Sequence, residues 1–272
     1  MTTTGVEDPA DFRELRTIGP ASHAVKRSFY YREPATPDRI HPGLPSPWLT
    51  IVLSLAGTIP IGVLVGDRVR MRSFAAPVGG LHTAPVQLPQ QEPGVGIQLA
   101  VHPFASRALF GMPAGELAGQ VVELGDLLKA DGDPALADLT EGRLAASAAA
   151  VAVRSWISRR LDGASLPRPE LRQAWRLIAT SGGQMQIGAV AAEVGWSRRY
   201  LSDQMRAETG LTAKDLARVT RFDRTVDELR SPRRPALAAI AVDCGYSDQA
   251  HLAAEWRQFA GCSATAWLSQ RD

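Results

Sequence analysis

Apolar residues recur at spacings of three and four along the last third of the chain, and the pattern is written twice. Ile187, Val190, Ala191 and Val194 are followed by Gly195, Trp196 and Ser197; fifty positions on stand Leu237, Ile240, Ala241 and Cys244, followed by Gly245, Tyr246 and Ser247. Each copy predicts a short helix with one apolar face, a glycine free to take positive φ at a turn, and a serine placed to cap a second helix. The second helices match once a one-residue shift is allowed. Arg198 to Gly210 carries Leu201 and Met205, and Asp248 to Gly261 carries Leu252 and Trp256. This is the pattern of two helix-turn-helix units.

Around them lie further helices. Leu171, Ala174, Trp175 and Ile178 predict one before the first unit, and Leu216, Val219, Phe222, Val226 and Leu229 predict a long helix joining the two. Upstream the period changes to two. Val69, Met71 and Ser73 alternate with Arg70, Arg72 and Phe74, and Val95, Ile97, Leu99 and Val101 alternate with Gly96, Gln98, Ala100 and His102, as in half-buried strands. Trp48 to Gly66 carries no charge and is long enough to span a bilayer. Gly57, Pro60 and Gly62 interrupt it, however, so two β-rich runs around a turn, a buried hairpin, are favoured over a membrane helix.

The expected fold is therefore α+β: a small β-barrel or sandwich over Phe29 to Val101, helices from Phe104, and an all-α C-terminal domain. In the alanine-rich run from Pro134 to Leu161, the residues Leu144, Ala148, Val151, Ala152, Trp156 and Ile157 predict one apolar stripe. It is covered either by its own barrel or by the same helix of a second subunit. The proline-bearing, polar stretch DGASLPRPE marks a boundary. The expected organisation is a tail over 1–28, a sensing and dimerisation domain over 29–161, a linker over 162–170 and a DNA-binding domain over 171–272.

The residues IGAVAAEVGWSRRYLSDQMRAETGLTAKDLARVTRF and LAAIAVDCGYSDQAHLAAEWRQFAGCSATAWL resemble the two helix-turn-helix units of the AraC/XylS family of bacterial transcription regulators, GYSDQAHL most sharply. Arg221 stands where that family usually has arginine, whereas Ala213 and Ala264 replace a common proline; alanine still lets the following helices start. The resemblance implies a double-stranded DNA operator as partner, RNA polymerase if the protein activates, a small-molecule effector bound by the N-terminal domain, and a homodimer. It implies no enzyme activity.

Removing the core positions of the repeat leaves the residues free to face DNA. In the first reading helix these are Arg198, Arg199, Ser202, Asp203 and Arg206; in the second they are Asp248, Gln249, Ala250, His251, Ala253, Ala254 and Arg257, and Ser247 just before it is a further candidate DNA contact. Arginine can grip guanine O6 and N7 and glutamine can pair with adenine, so Arg199 and Gln249 are the leading base contacts. Any one of the set can instead touch phosphate, which takes half or more of protein–DNA hydrogen bonds. Asp203 either accepts from cytosine or holds Arg199 or Arg206 in place.

Charge and cysteine content refine this picture slightly. From Arg168 onward there are 15 Lys and Arg against 12 Asp and Glu, and before it 15 against 16, so the modest basic excess sits in the repeat. That suits a few placed arginines and helix N-termini better than bulk attraction to phosphate. Cys244 and Cys262 fill the slots of Val194 and Leu211, which makes small core residues of them rather than a redox pair and points to the cytoplasm, at the nucleoid. The first sixteen residues lack the apolar core of a secretory signal.

No other chemistry is evident. His23, His41, His82 and His102 are scattered without metal-ligand spacing, and no nucleophile triad, phosphate loop or nucleotide fingerprint occurs, so neither metal nor cofactor is expected. A DNA-binding unit fused to an alkylation-repair enzyme would need a reactive cysteine in the N-terminal half, where none stands. His82, Gln98 and His102 are the candidate effector contacts.

Overall fold

The computed structural model describes residues 11–14, 24–65, 68–128, 138, 146–233 and 235–269. His23, Leu144 and most of the run between Pro134 and Ala146 lie outside the described residues.

Among the described residues, ten strands form two antiparallel sheets that do not close on each other. They are β1 (Asp11–Glu14), β2 (Val25–Glu33), β3 (Thr36–Gly43), β4 (Leu49–Ser54), β5 (Ile59–Val65), β6 (Arg68–Phe74), β7 (Pro77–Gly79), β8 (Val86–Gln90), β9 (Gly94–Val101) and β10 (Val121–Glu123). One sheet runs β1-β2-β9-β4-β7-β10, the other β3-β8-β5-β6. The central register places Leu49 opposite Val101, Ile51 opposite Leu99 and Leu53 opposite Ile97. All six are buried, so each pair adds apolar surface to one inner face. The strands also begin before Phe29 and return after Val101.

Two expectations fail here. Trp48 to Gly66 does make two extended runs, but they are not a hairpin: β4 pairs with β7 and β9, while β5 pairs with β6 and β8 in the other sheet. The chain changes sheet at the Gly57 turn. Alternating hydrophobicity marks a strand without naming its partner. The second failure is β6, whose residues are exposed on both faces except Phe74, with Val69 and Met71 about half exposed. It is an edge strand, and its three arginines discourage pairing with another chain.

After β9 come a 3₁₀ turn (Pro103–Ala105), α1 (Ser106–Phe110), a second 3₁₀ turn (Ala114–Leu117), α2 (Leu124–Leu127) and α3 (Ala146–Leu161). The buried stripe of α3 is Ala149, Val153, Trp156 and Ile157, while Ala148 and Val151 face solvent. The stripe expected from sequence thus sits about one position off at its N-terminal end, because the three consecutive alanines Ala148, Ala149 and Ala150 give the pattern little contrast. Trp156 packs on Phe110 of α1, so the stripe rests on its own domain. Among the described residues, no helix is long and apolar enough to cross a membrane.

The C-terminal part is all helix: α4 (Pro169–Thr180), α5 (Ile187–Glu193), α6 (Arg198–Thr209), α7 (Ala213–Arg230), α8 (Leu237–Asp243), α9 (Gln249–Ala260) and α10 (Ala264–Ser269). The apolar positions expected on α4 and α7 are all buried. Helices α7 and α10 begin at the alanines that replace proline.

Candidate nucleic-acid interface

Each helix-turn-helix is closed by a glycine in the left-handed region, Gly195 at φ 70° and Gly245 at φ 79°. An L side chain there would be strained, so glycine is what lets α5 turn into α6 and α8 into α9. The reading helices are then started differently. Ser197 caps α6, its hydroxyl accepting from the Tyr200 N–H at 3.1 Å. In the second copy the cap is Asp248, not Ser247: its carboxylate accepts from the His251 N–H at 2.7 Å, which holds its pKa below the usual range. One extra residue in the second turn accounts for the one-residue shift in the repeat.

With that shift applied the two turns superpose in kind. Trp196 meets Tyr200 edge-on with ring centroids 4.9 Å apart, and Tyr246 meets His251 edge-on at 5.2 Å. Tyr200 therefore occupies the place of His251, and it is 39% exposed. Reading the sequence by core subtraction missed it, because a tyrosine beside Leu201 passes for core. Aligning the second helices at an offset of fifty-one would have found it.

Of the sequence-selected residues, Arg198, Arg199, Asp203, Arg206, Ser247, Gln249, Ala250, His251, Ala254 and Arg257 are exposed, and Ser202 is half-buried. Leu201 and Met205 beneath α6, and Leu252 and Trp256 beneath α9, are fully buried. Arg199 is 93% exposed and lies 4.0 Å from Asp203 one turn on, a distance at which the carboxylate orients the guanidinium without neutralising it. The exposed N-terminal turns of both helices also present a positive dipole end.

Helix α7, about 27 Å long at 1.5 Å per residue, holds the two units apart. Its Arg218 donates to Glu255 at 2.7 Å and to Gln258 at 2.6 Å, both on α9. Phe222 packs on Trp256 and Phe259 with centroids 4.9 and 5.1 Å apart. Arg221 lies over the Tyr246 ring, 5.3 Å from its centroid. The Gln184 amide donates to the Asp243 carbonyl at 3.0 Å, tying the first unit to the second. Cys244 is buried in this core, and burial pushes its thiol up, as it does for half-buried Cys262.

Residues 171–270 match the family model of a helix-turn-helix domain. The C-terminal domain is of the AraC type. The protein is accordingly a DNA-binding transcription regulator. No curated protein matches the chain by sequence. Among solved structures, ToxT from Vibrio cholerae is similar at 10% identity, with a TM-score of 0.51 over 89% of this chain and 96% of that one. ToxT with an unsaturated fatty acid bound is similar at 9% identity, TM-score 0.50, over 95% of this chain and 94% of that one. The C-terminal domain of AraT, a response regulator from Geobacillus stearothermophilus, matches 39% of this chain and 89% of its own at 24% identity and TM-score 0.37. The likeness to ToxT speaks for the fold: a β-rich N-terminal domain ahead of an AraC-type domain.

The candidate effector residues are dispersed. His82 Nδ1 donates to the Ala84 carbonyl at 2.6 Å, and burial lowers its pKa. Gln98 is exposed on the outer face of β9. His102 faces the AraC-type domain, its ring 4.8 Å from Trp175 and from Phe104 and 5.7 Å from Trp48. Among the described residues, no hydrogen bond or ring contact joins the three.

Proposed function

We propose that this regulator reads two successive major-groove segments of one operator, α6 in the first and α9 in the second, under control of a small molecule bound by the N-terminal domain. One observation carries the reading. Two capped helices present exposed polar faces and are fixed to a single rigid helix, a spacing suited to groove segments roughly 34 Å apart. Arg199 is assigned to guanine and Gln249 to adenine, with Arg198, Arg206 and Arg257 against phosphate. Ser202, Asp203, Ser247, Ala250, His251 and Ala254 border the same edges.

Residues 29–161 are assigned to sensing and pairing, 162–170 to the link. The effector role finds support in the fold shared with ToxT, a structure of which holds an unsaturated fatty acid. Pairing with a second copy is assigned to the outer face of α3, where Ala148 and Val151 are exposed. The protein works in the cytoplasm on the chromosome, and as an activator it would also meet RNA polymerase.

Hydroxyl-radical footprinting of the full chain on fragments selected from the host genome tests the reading. Two protected windows about 10 base pairs apart on one face of the duplex are expected. A single window, or protection equal to that on scrambled DNA, overturns it.

A further inference from the structure

Each reading helix buries one glutamate, and the two are neutralised from different places. Glu255 on α9 is met by Arg218 of α7, inside the AraC-type domain. Glu208, 7% exposed on α6, is met by Arg107 of α1, a hundred residues earlier and in the N-terminal domain. Arg107 grips it with two nitrogens: Nε donates at 2.9 and 3.1 Å to the two carboxylate oxygens, and Nη2 at 2.9 Å. This fork fixes direction as well as charge.

The backbone close by is equally committed. The 3₁₀ turn Ala114–Leu117 presses on the C-terminal end of α6, where a Cβ at Gly115 would stand 2.5 Å from the Ala207 carbonyl oxygen and 3.0 Å from that of Arg206. Ala118 in turn meets Gly210, with 2.1 Å left for a Cβ. Other cross-domain contacts fall on α7 and α4. Arg27 pairs with Asp227 of α7 through both carboxylate oxygens, and Trp48, His102 and Phe104 pack on Trp175 of α4. Near the end of α9, Pro85 approaches Gly261, standing 3.3 Å from where a Cβ there would lie. Throughout, Arg198, Arg199, Asp203 and Arg206 remain exposed, so the N-terminal domain holds α6 without covering its reading face.

We propose that Arg107 is a positioning residue for the first reading helix, so that the N-terminal domain sets the grip on one half of the operator while α9 is set by its own domain. The proposal rests on the two-window reading. It follows that a shift of α1 or of the Ala114–Leu117 turn changes affinity for one groove segment selectively. The signal travels through a fork whose loss leaves a buried carboxylate without its cation.

The test compares the full-length wild type with Arg107→Gln, Arg107→Lys and Arg218→Gln by footprinting and by amide hydrogen exchange without DNA. Arg199→Ala identifies the window read by α6. In Arg107→Gln, half-protection of that window is expected to need about tenfold more protein, with the other window changed less than about threefold. Arg218→Gln is expected to invert this, and Arg107→Lys to recover part of the loss, since lysine restores charge but not the fork. Exchange in Arg107→Gln is expected to quicken over 198–209 and not over 249–260. Equal weakening of both windows, no weakening of either, or uniform quickening of exchange overturns the proposal. A wild type with a single window defeats the two-window reading instead, and exchange then still decides the role of Arg107.

Discussion

His102, at the end of the central β-strand, lies 4.8 Å from Trp175 on the first helix of the AraC-type domain, the two rings tilted by 45°. Its Nδ1 accepts the Phe104 N–H at 3.2 Å. The imidazole is thus neutral and enclosed, and burial holds its pKa at about 4, below the ordinary 6.5. Across the same interface, Asp223 of α7 is pushed up to about 6 from 3.8 by burial and by Asp227, against the opposing pull of Arg27, Trp48 and Arg230.

These two groups have opposite signs of linkage. The stability supplied by neutral His102 is present above pH 6.5 and is lost as pH falls through 4; that supplied by protonated Asp223 is present below pH 3.8 and is lost as pH rises through 6. Between pH 4 and 6 they offset each other. Asp223→Asn is expected to melt at lower temperature as the pH falls across that window, and His102→Phe at higher temperature. Parallel melting curves for the two variants would refute the assignment.

Arg199→Ala is expected to cost about 1–3 kcal/mol of operator binding and to relax preference at one base pair. Arg257→Ala, on its proposed assignment to phosphate, is expected to weaken all sequences alike and to flatten the salt dependence. A binding series over single-base operator variants at two salt concentrations separates the two outcomes.

Loss of the hydroxyl that caps α6, in Ser197→Ala, is expected to lower unfolding stability by about 1 kcal/mol. A urea titration reads this directly. An unchanged midpoint would mean that the helix start is held by the Trp196–Tyr200 pair rather than by the cap.

Gly183 joins α4 to α5 at φ 74°, and a Cβ there would stand 2.0 Å from the Ala217 carbonyl of α7. Gly183→Ala is expected to cost about 1–2 kcal/mol for the backbone alone, and the clash adds to it by forcing α4 and α7 apart. Both reading windows should weaken together in footprinting, unlike the one-sided loss expected of Arg107→Gln.

The duplicated C-terminal units were legible because Leu201 and Met205, or Leu252 and Trp256, must recur at helical spacing to bury one face of a short helix. The alternation of β9 was equally plain, since one of its faces is core. Strand partnership was not: nothing in the runs of β4 and β5 tells which sheet each joins, because pairing is decided by backbone groups that every residue carries. The exposure of β6 followed from its place at an edge, which composition does not record. The Arg107–Glu208 fork spans 101 residues and leaves no local pattern. Tyr200 escaped notice because a tyrosine beside Leu201 passes for core, although the one-residue shift of the second helices sets it opposite His251.

The two reading faces are unlike. Arg198, Arg199, Asp203 and Arg206 line one, whereas Gln249, Ala250, His251 and Ala254 line the other with a single charge at Arg257. A molecule built this way has no internal twofold axis, so on the proposed two-segment reading its target has a head and a tail. Inverting the target beside a promoter would swing the β-sheet domain to the opposite flank, giving the same base pairs a different geometry toward whatever sits next to them.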